Sequence, residues 1–127
     1  MSIWDKYQIE SKVLNILNIQ SHNPDHHFGR PFLTPYQIAI EFKRIYPSEF
    51  AAIGKPIGGK NTGQHDSLSQ YIARELSCRI QTKKIQNIEG RFLHHLYLHS
   101  LQWNNDEQPI EASSMQNYDL SMYRRTD

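Results

Sequence analysis

Two helix starts spelled in the same way constrain this chain more than anything else in it. Thr34-Pro35-Tyr36-Gln37 sets a hydroxyl at the N-cap, a proline at the first helical position and a glutamine three residues on, the pattern of a capping box. Ser67-Leu68-Ser69-Gln70 repeats the device. The residues behind each start agree with it. Ile38, Phe42 and Ile45 recur on one helical face, with Ala39 allowing close approach, and predict a helix from Pro35 to about Ile45 that Pro47 ends. Leu68, Ile72, Leu76 and Ile80, supported by Ala73, predict a second from Leu68 to about Gln81, whose other face carries Gln70, Arg74, Ser77 and Gln81.

The rest of the chain is organised around this pair. Ile9, Val13, Ile16 and Leu17, extended by Trp4 and Ile19, predict a helix over 4–20. Ser-His-Asn-Pro at 21–24 ends it, because Pro24 disfavours helical geometry at Asn23. Residues 21–33 read as a loop in which Phe32 and Leu33 form a very short strand or plug the core. Phe50 and Ile53 add one further turn over 48–53. Residues 54–66 hold four of the six glycines, and a loop of this length in a small domain is commonly functional or mobile. Asn87-Ile88-Glu89-Gly90 is expected to turn between a strand at 83–86 and one starting near Arg91, a hairpin, with a helix over 91–101 as the alternative. Residues 104–127 lack periodicity and read as a flexible acidic tail, whose Tyr118, Leu120, Met122 and Tyr123 are able to dock on the domain or on a partner.

Length and charge narrow the class. At 127 residues and 38% hydrophobic content, with mean hydropathy −0.69, one domain over 1–103 with a modest core is expected. Cys78 is the lone cysteine, so no disulfide forms within the chain. No apolar run nears the ~20 residues of a membrane span, the first residues lack the apolar stretch of a secretory signal, and a cytoplasmic location is expected. Net charge is +1 overall, but residues 30–91 carry ten Lys/Arg against five Asp/Glu, and residues 104–127 carry five acids against two arginines. A basic middle beside an acidic tail fits a nucleic-acid surface with a charged appendage.

The order helix, short strand, helix, helix, hairpin resembles a winged helix-turn-helix domain over roughly residues 8–101. The resemblance rests on element order, and the 54–66 loop is longer than such a layout needs. It implies an α+β, mainly helical, three-helix fold with a small C-terminal hairpin, and duplex-DNA binding with the third helix in the major groove. The early outward residues of that helix, Ser69, Gln70, Tyr71 and Arg74, are the expected base readers, since Gln matches adenine and Arg matches guanine through paired hydrogen bonds. Arg79, Lys83, Lys84 and Arg91 are the expected phosphate contacts, with Lys55 and Lys60 reaching in from the loop. A homodimer reading two half-sites is the expected assembly.

Other chemistries find less support. Gly54-Lys55-Pro56-Ile57-Gly58-Gly59-Lys60-Asn61 approaches the phosphate-loop pattern, but Asn61 stands where a hydroxyl would hold magnesium and Pro56 removes a backbone donor. A flexible connector, or a loop touching phosphate through its lysines and amides, is the expected role. Seven histidines fall at 22, 26, 27, 65, 94, 95 and 99. A helix over 91–101 would set His95 and His99 on one face, whereas a strand would hold them ~13 Å apart. Without a cysteine pair or a His-Glu-x-x-His run, exposed or partly packed histidines and no metal or other cofactor are expected. Cys78 is expected to be small and half-buried, and no spacing of Ser, His and Asp marks a catalytic set. The first rival reading is a protein-interaction module, such as an immunity, antitoxin or adaptor protein, using the aromatic-bearing tail. An enzyme acting on nucleotides or nucleic acids through the glycine loop and the histidines is the second.

Overall fold

The computed structural model describes residues 1–60, 67–106, 108–113 and 117–127. It is an α+β fold in the order α1 (Ile3–Lys6), α2 (Ile9–Ile16), α3 (Pro35–Ile45), α4 (Pro47–Ile53), α5 (Leu68–Gln81), β1 (Ile88–Leu93), β2 (Gln102–Trp103), β3 (Ile110–Glu111) and β4 (Leu120–Arg125). No helix among the described residues is long and apolar enough to cross a membrane.

Local chemistry sets the helix ends. Thr34 Oγ1 accepts the Gln37 amide at 3.2 Å and Gln37 Oε1 accepts the Thr34 amide at 2.7 Å, closing the capping box that starts α3. Ser67 Oγ accepts the Gln70 amide at 3.2 Å to start α5, but here only the serine half of the box is made among the described residues. The helix expected over 4–20 is two pieces, because Gln8 sits in the left-handed region at φ 52°. Lys12 Nζ donates to the Tyr7 carbonyl at 2.6 Å and secures the break. Gly54, at φ 75°, ends α4 in the left-handed conformation that glycine adopts without strain.

The core gathers Ile9, Val13 and Leu17 from the α2 region, Ile38, Ala39 and Phe42 from α3, and Leu68, Ile72 and Leu76 from α5, all fully buried. The predicted inward stripes of α3 and α5 hold up to their ends, where Ile45 and Ile80 are half-buried.

The strands differ from expectation. β1 pairs antiparallel with β4 in a register running from Ile88↔Arg125 to Leu93↔Leu120. On β4's other edge, Leu33 and Tyr123 exchange two amide–carbonyl bonds of 2.8 Å each. The order across the sheet is therefore Leu33, β4, β1, with the last strand in the middle. Residues 87–90 are not a turn: Gly90 is a ladder position facing Tyr123, whose ring lies 3.1 Å from where a Cβ would stand. The expected strand at 83–86 is instead the loop leaving α5, and no helix forms over 91–101. The flexible tail expected at 104–127 is replaced over 120–125 by a core strand. Tyr123 is 2% exposed, donates to the Ala73 carbonyl at 3.2 Å and shares a 2.7 Å hydrogen bond with Ser77. A burial signal of two aromatics and two aliphatics among acids and serines was too sparse to mark it as a strand.

The chain between β1 and β4 folds back on itself through its described residues. β2 pairs with β3, and Leu98, Leu101 and Trp103 pack with Ala112, Leu120 and Tyr36. Tyr36 stacks on Trp103 with ring centres 5.0 Å apart and meets Ser113 through its hydroxyl at 3.1 Å. The connection is thereby anchored to the first turn of α3.

Candidate nucleic-acid interface

Helix α5 divides its predicted site residues into two groups. Gln70 and Arg74 are exposed, and Ser77, Cys78 and Gln81 continue the same outward stripe. Ser69 is not part of it. It is 3% exposed, its amide donates to the Ile57 carbonyl at 2.9 Å, and its hydroxyl shares a 3.3 Å hydrogen bond with Ser67. One residue along a helix is a turn of about 100°, so a residue next to the inward-facing Leu68 and one turn before Ile72 is drawn into the core side. Cys78, expected to be half-buried, is exposed.

Tyr71 is half-buried. Its hydroxyl accepts the Trp4 amide at 3.0 Å, and burial raises its pKa above the ordinary 10.0, with the nearby Glu75 carboxylate adding to the rise. Its ring carries the Arg74 guanidinium at 5.6 Å and the Lys55 ammonium at 5.7 Å. Two of the predicted cations thus lie over one aromatic ring, where the quadrupole attracts both. Arg79 is committed elsewhere: it pairs with Glu75 at 3.2 Å and stacks over Trp4 at 4.9 Å. Trp4 Nε1 is the buried side-chain donor without a partner among the described residues, and its ring borders an open surface pocket of about 300 Å³ shared with Asp5, Gln8, Glu10, Ser11 and Leu14.

Lys83 and Lys84 are exposed just past the end of α5, where Lys83 takes φ 62°. Arg91 is exposed on β1, leaning on Glu89 at 3.2 Å. Lys60 is exposed, and its amide donates to the Glu111 carbonyl at 2.8 Å. Lys55 and Arg74 are thus brought together over Tyr71, Lys83 and Lys84 follow at the far end of the same helix, and Lys60 and Arg91 stand on separate elements.

The glycine loop is explained by packing. The Leu68 amide donates to the Pro56 carbonyl at 2.7 Å and the Ser69 amide to that of Ile57 at 2.9 Å. Together with the Ser67 cap these bonds occupy the first three amides of α5, the groups a phosphate would need. Gly58 (φ 120°) lies against the Ser67 and Ser69 side chains, and Gly59 (φ 104°) has the Glu111 carbonyl 2.7 Å from where a Cβ would stand. These glycines admit close contact between backbones, and the likeness to a phosphate loop is incidental over 54–60. Asn61, on which that comparison turned, and His65 lie outside the described residues.

The histidines fall into groups that sequence spacing did not indicate. His95 and His99 do not share a helix face, since no helix forms there. His94 and His95 stack with ring centres 4.6 Å apart, and His95 Nδ1 lies 2.7 Å from Asp119 Oδ1. Asp119 is far along the chain, and only the β1–β4 pairing brings it close. Exposed apolar side chains collect at the same end of the ladder: Phe92 is 73% exposed, Leu96 62%, Tyr97 96% and Tyr118 68%.

No protein-family model, curated protein or solved structure matches the chain.

Proposed function

We propose that this protein is a cytoplasmic, non-catalytic duplex-DNA-binding module of winged-helix type, with α5 entering the major groove. The observation that carries the reading is topological. Helices α3 and α5 pack on a sheet ordered Leu33, β4, β1, with α2 against α3, the arrangement expected when a helix-turn-helix is followed by a hairpin wing, here enlarged by the connection from β1 to β4. That arrangement leaves Gln70 and Arg74 exposed on α5 as the base-reading pair, with Ser69 and Tyr71 in supporting roles. Lys55, Lys60, Lys83, Lys84 and Arg91 are the phosphate contacts, and a second copy reads an adjacent half-site.

Fluorescence anisotropy with a labelled random-sequence duplex at two salt concentrations tests this reading. Affinity is expected to fall steeply with salt, as phosphate contacts release counterions. Arg74→Ala should weaken binding to a selected site by ~1–3 kcal/mol, and Lys84→Ala should lower the salt slope by about 1 with little change in sequence preference. No binding at low salt would remove the proposal.

The exposed Phe92, Leu96, Tyr97 and Tyr118 favour a second reading, a protein-interaction surface at the tip of the ladder. Co-purification of a partner that is lost on Tyr97→Ser, with DNA binding absent, would select it.

A further inference from the structure

We infer that His94, His95 and Asp119 form a site for a divalent transition-metal ion at the neck of the connection between β1 and β4. One ligand atom from each lies within 4.8 Å of the other two, and among the described residues no other trio of His, Cys, Asp and Glu gathers in this way. Tetrahedral zinc with nitrogen and oxygen donors at ~2.0–2.2 Å separates neighbouring donors by roughly 3.4 Å, so the trio closes on an ion with a movement of about 1 Å. The β ladder holds both sides of the neck. Leu93 pairs with Leu120 in its terminal rung, and the three residues stand just beyond.

The donors are prepared for coordination to different degrees. Asp119 Oδ1 accepts the His95 backbone amide at 3.0 Å and lies 2.7 Å from His95 Nδ1. Coordination replaces this side-chain hydrogen bond: the Nδ1 proton leaves to solvent and the ion takes its place between Nδ1 and Oδ1, which open from 2.7 Å to roughly 3.4 Å. His94 Nδ1 accepts the Leu96 amide at 2.8 Å, so coordination by His94 goes with turning its ring, which lies within 15° of parallel to that of His95, and releases that amide. The His95 and Asp119 side chains are each 35% exposed, which leaves an entry path and room for water to complete the shell. Two imidazoles and one carboxylate suit zinc, nickel or copper rather than magnesium or calcium. An ion here would clamp the neck of residues 94–119. The site is separate from the outward stripe of α5 and stands whether or not the protein binds DNA.

The test uses the full chain, stripped of metal and titrated with Zn²⁺ alone. A chromogenic chelator in competition reports stoichiometry and affinity, and amide NMR reports location. Uptake of one ion per chain with movement of the Leu96 amide resonance is expected. His95→Ala and Asp119→Asn should each weaken uptake at least about tenfold. His94→Ala should do the same while the β1–β4 amide resonances stay in place, which separates loss of a ligand from loss of the fold. Absence of stoichiometric uptake would overturn the proposal. So would uptake unchanged in all three variants, or uptake abolished by His26→Ala with His27→Ala instead.

Discussion

The main core of this molecule closes over Val13, Ile38, Phe42, Ile72 and Leu76, all shielded from solvent, whereas the cluster between the β1–β4 connection and β4 buries, among the described residues, Ala112 and Leu120, with Tyr36, Leu98, Leu101 and Trp103 half-covered around them. The first is assembled from helices whose own sequences specify their faces. The second borrows Tyr36 from α3 and has no helix of its own among the described residues. Such a satellite gains too little burial to stand alone and is expected to open locally before the rest unfolds.

Core substitutions test that contrast most severely. Phe42→Ala should cost ~3–5 kcal/mol in urea unfolding, since it empties a fully enclosed position. Trp103→Ala should cost roughly 1.5–2.5 kcal/mol, about half the range for a fully buried tryptophan, and should raise amide exchange across residues 98–113 with α3 and α5 left protected. Equal costs, or equal loss of protection everywhere, would merge the two regions into one cooperative unit. Thr34→Ala removes the cap bond that starts α3 and should cost ~1 kcal/mol. Because Tyr36 lies in that first turn, the satellite should loosen with it, which a Trp103 fluorescence shift would report.

The smallest expected effect concerns charge. The Arg44 guanidinium holds the Glu41 carboxyl below its ordinary value of 4.5. A carboxyl lowered on folding contributes stability above its unfolded pKa and loses it as pH falls through the folded value. Glu41→Gln should therefore cost no more than about 0.5 kcal/mol at pH 7, as for exposed pairs, and progressively less as pH falls below 4.5. A cost that does not change with pH would assign the effect to packing instead.

What the residues disclosed follows the same division. Thr34 and Ser67 marked α3 and α5 to the residue, because a cap and the stripe behind it lie within one or two turns of chain. The break at Gln8 carried no glycine or proline to announce it. The pairing of Ile88–Leu93 with Leu120–Arg125 was illegible, since no tight turn joins the two and the hydrophobic residues of each strand are few. The candidate interface was legible in its outline on α5 but not in its detail. Ser69 and Arg79 are polar residues whose contacts with Ile57 and Trp4 come from outside α5, although the Arg79–Glu75 pair lies within it. The His94–His95–Asp119 grouping depends on the same distant pairing and shared its fate.

The placement of β4 between Leu33 and β1 also bears on how fast the molecule forms. Its helices are local and can be sampled in microseconds, but β4 must close the connection from β1 to form the ladder, and a span of roughly 90 residues to reach Leu33, before the sheet is complete. Loop closure of that length is modest in free energy, growing only with the logarithm of the span, yet non-local contacts of this kind slow folding relative to a plain helical bundle. The rate-limiting event is accordingly expected to be the capture of the β4 segment by a helical cluster already in place. Shortening the 94–119 connection should quicken folding far more than it changes equilibrium stability.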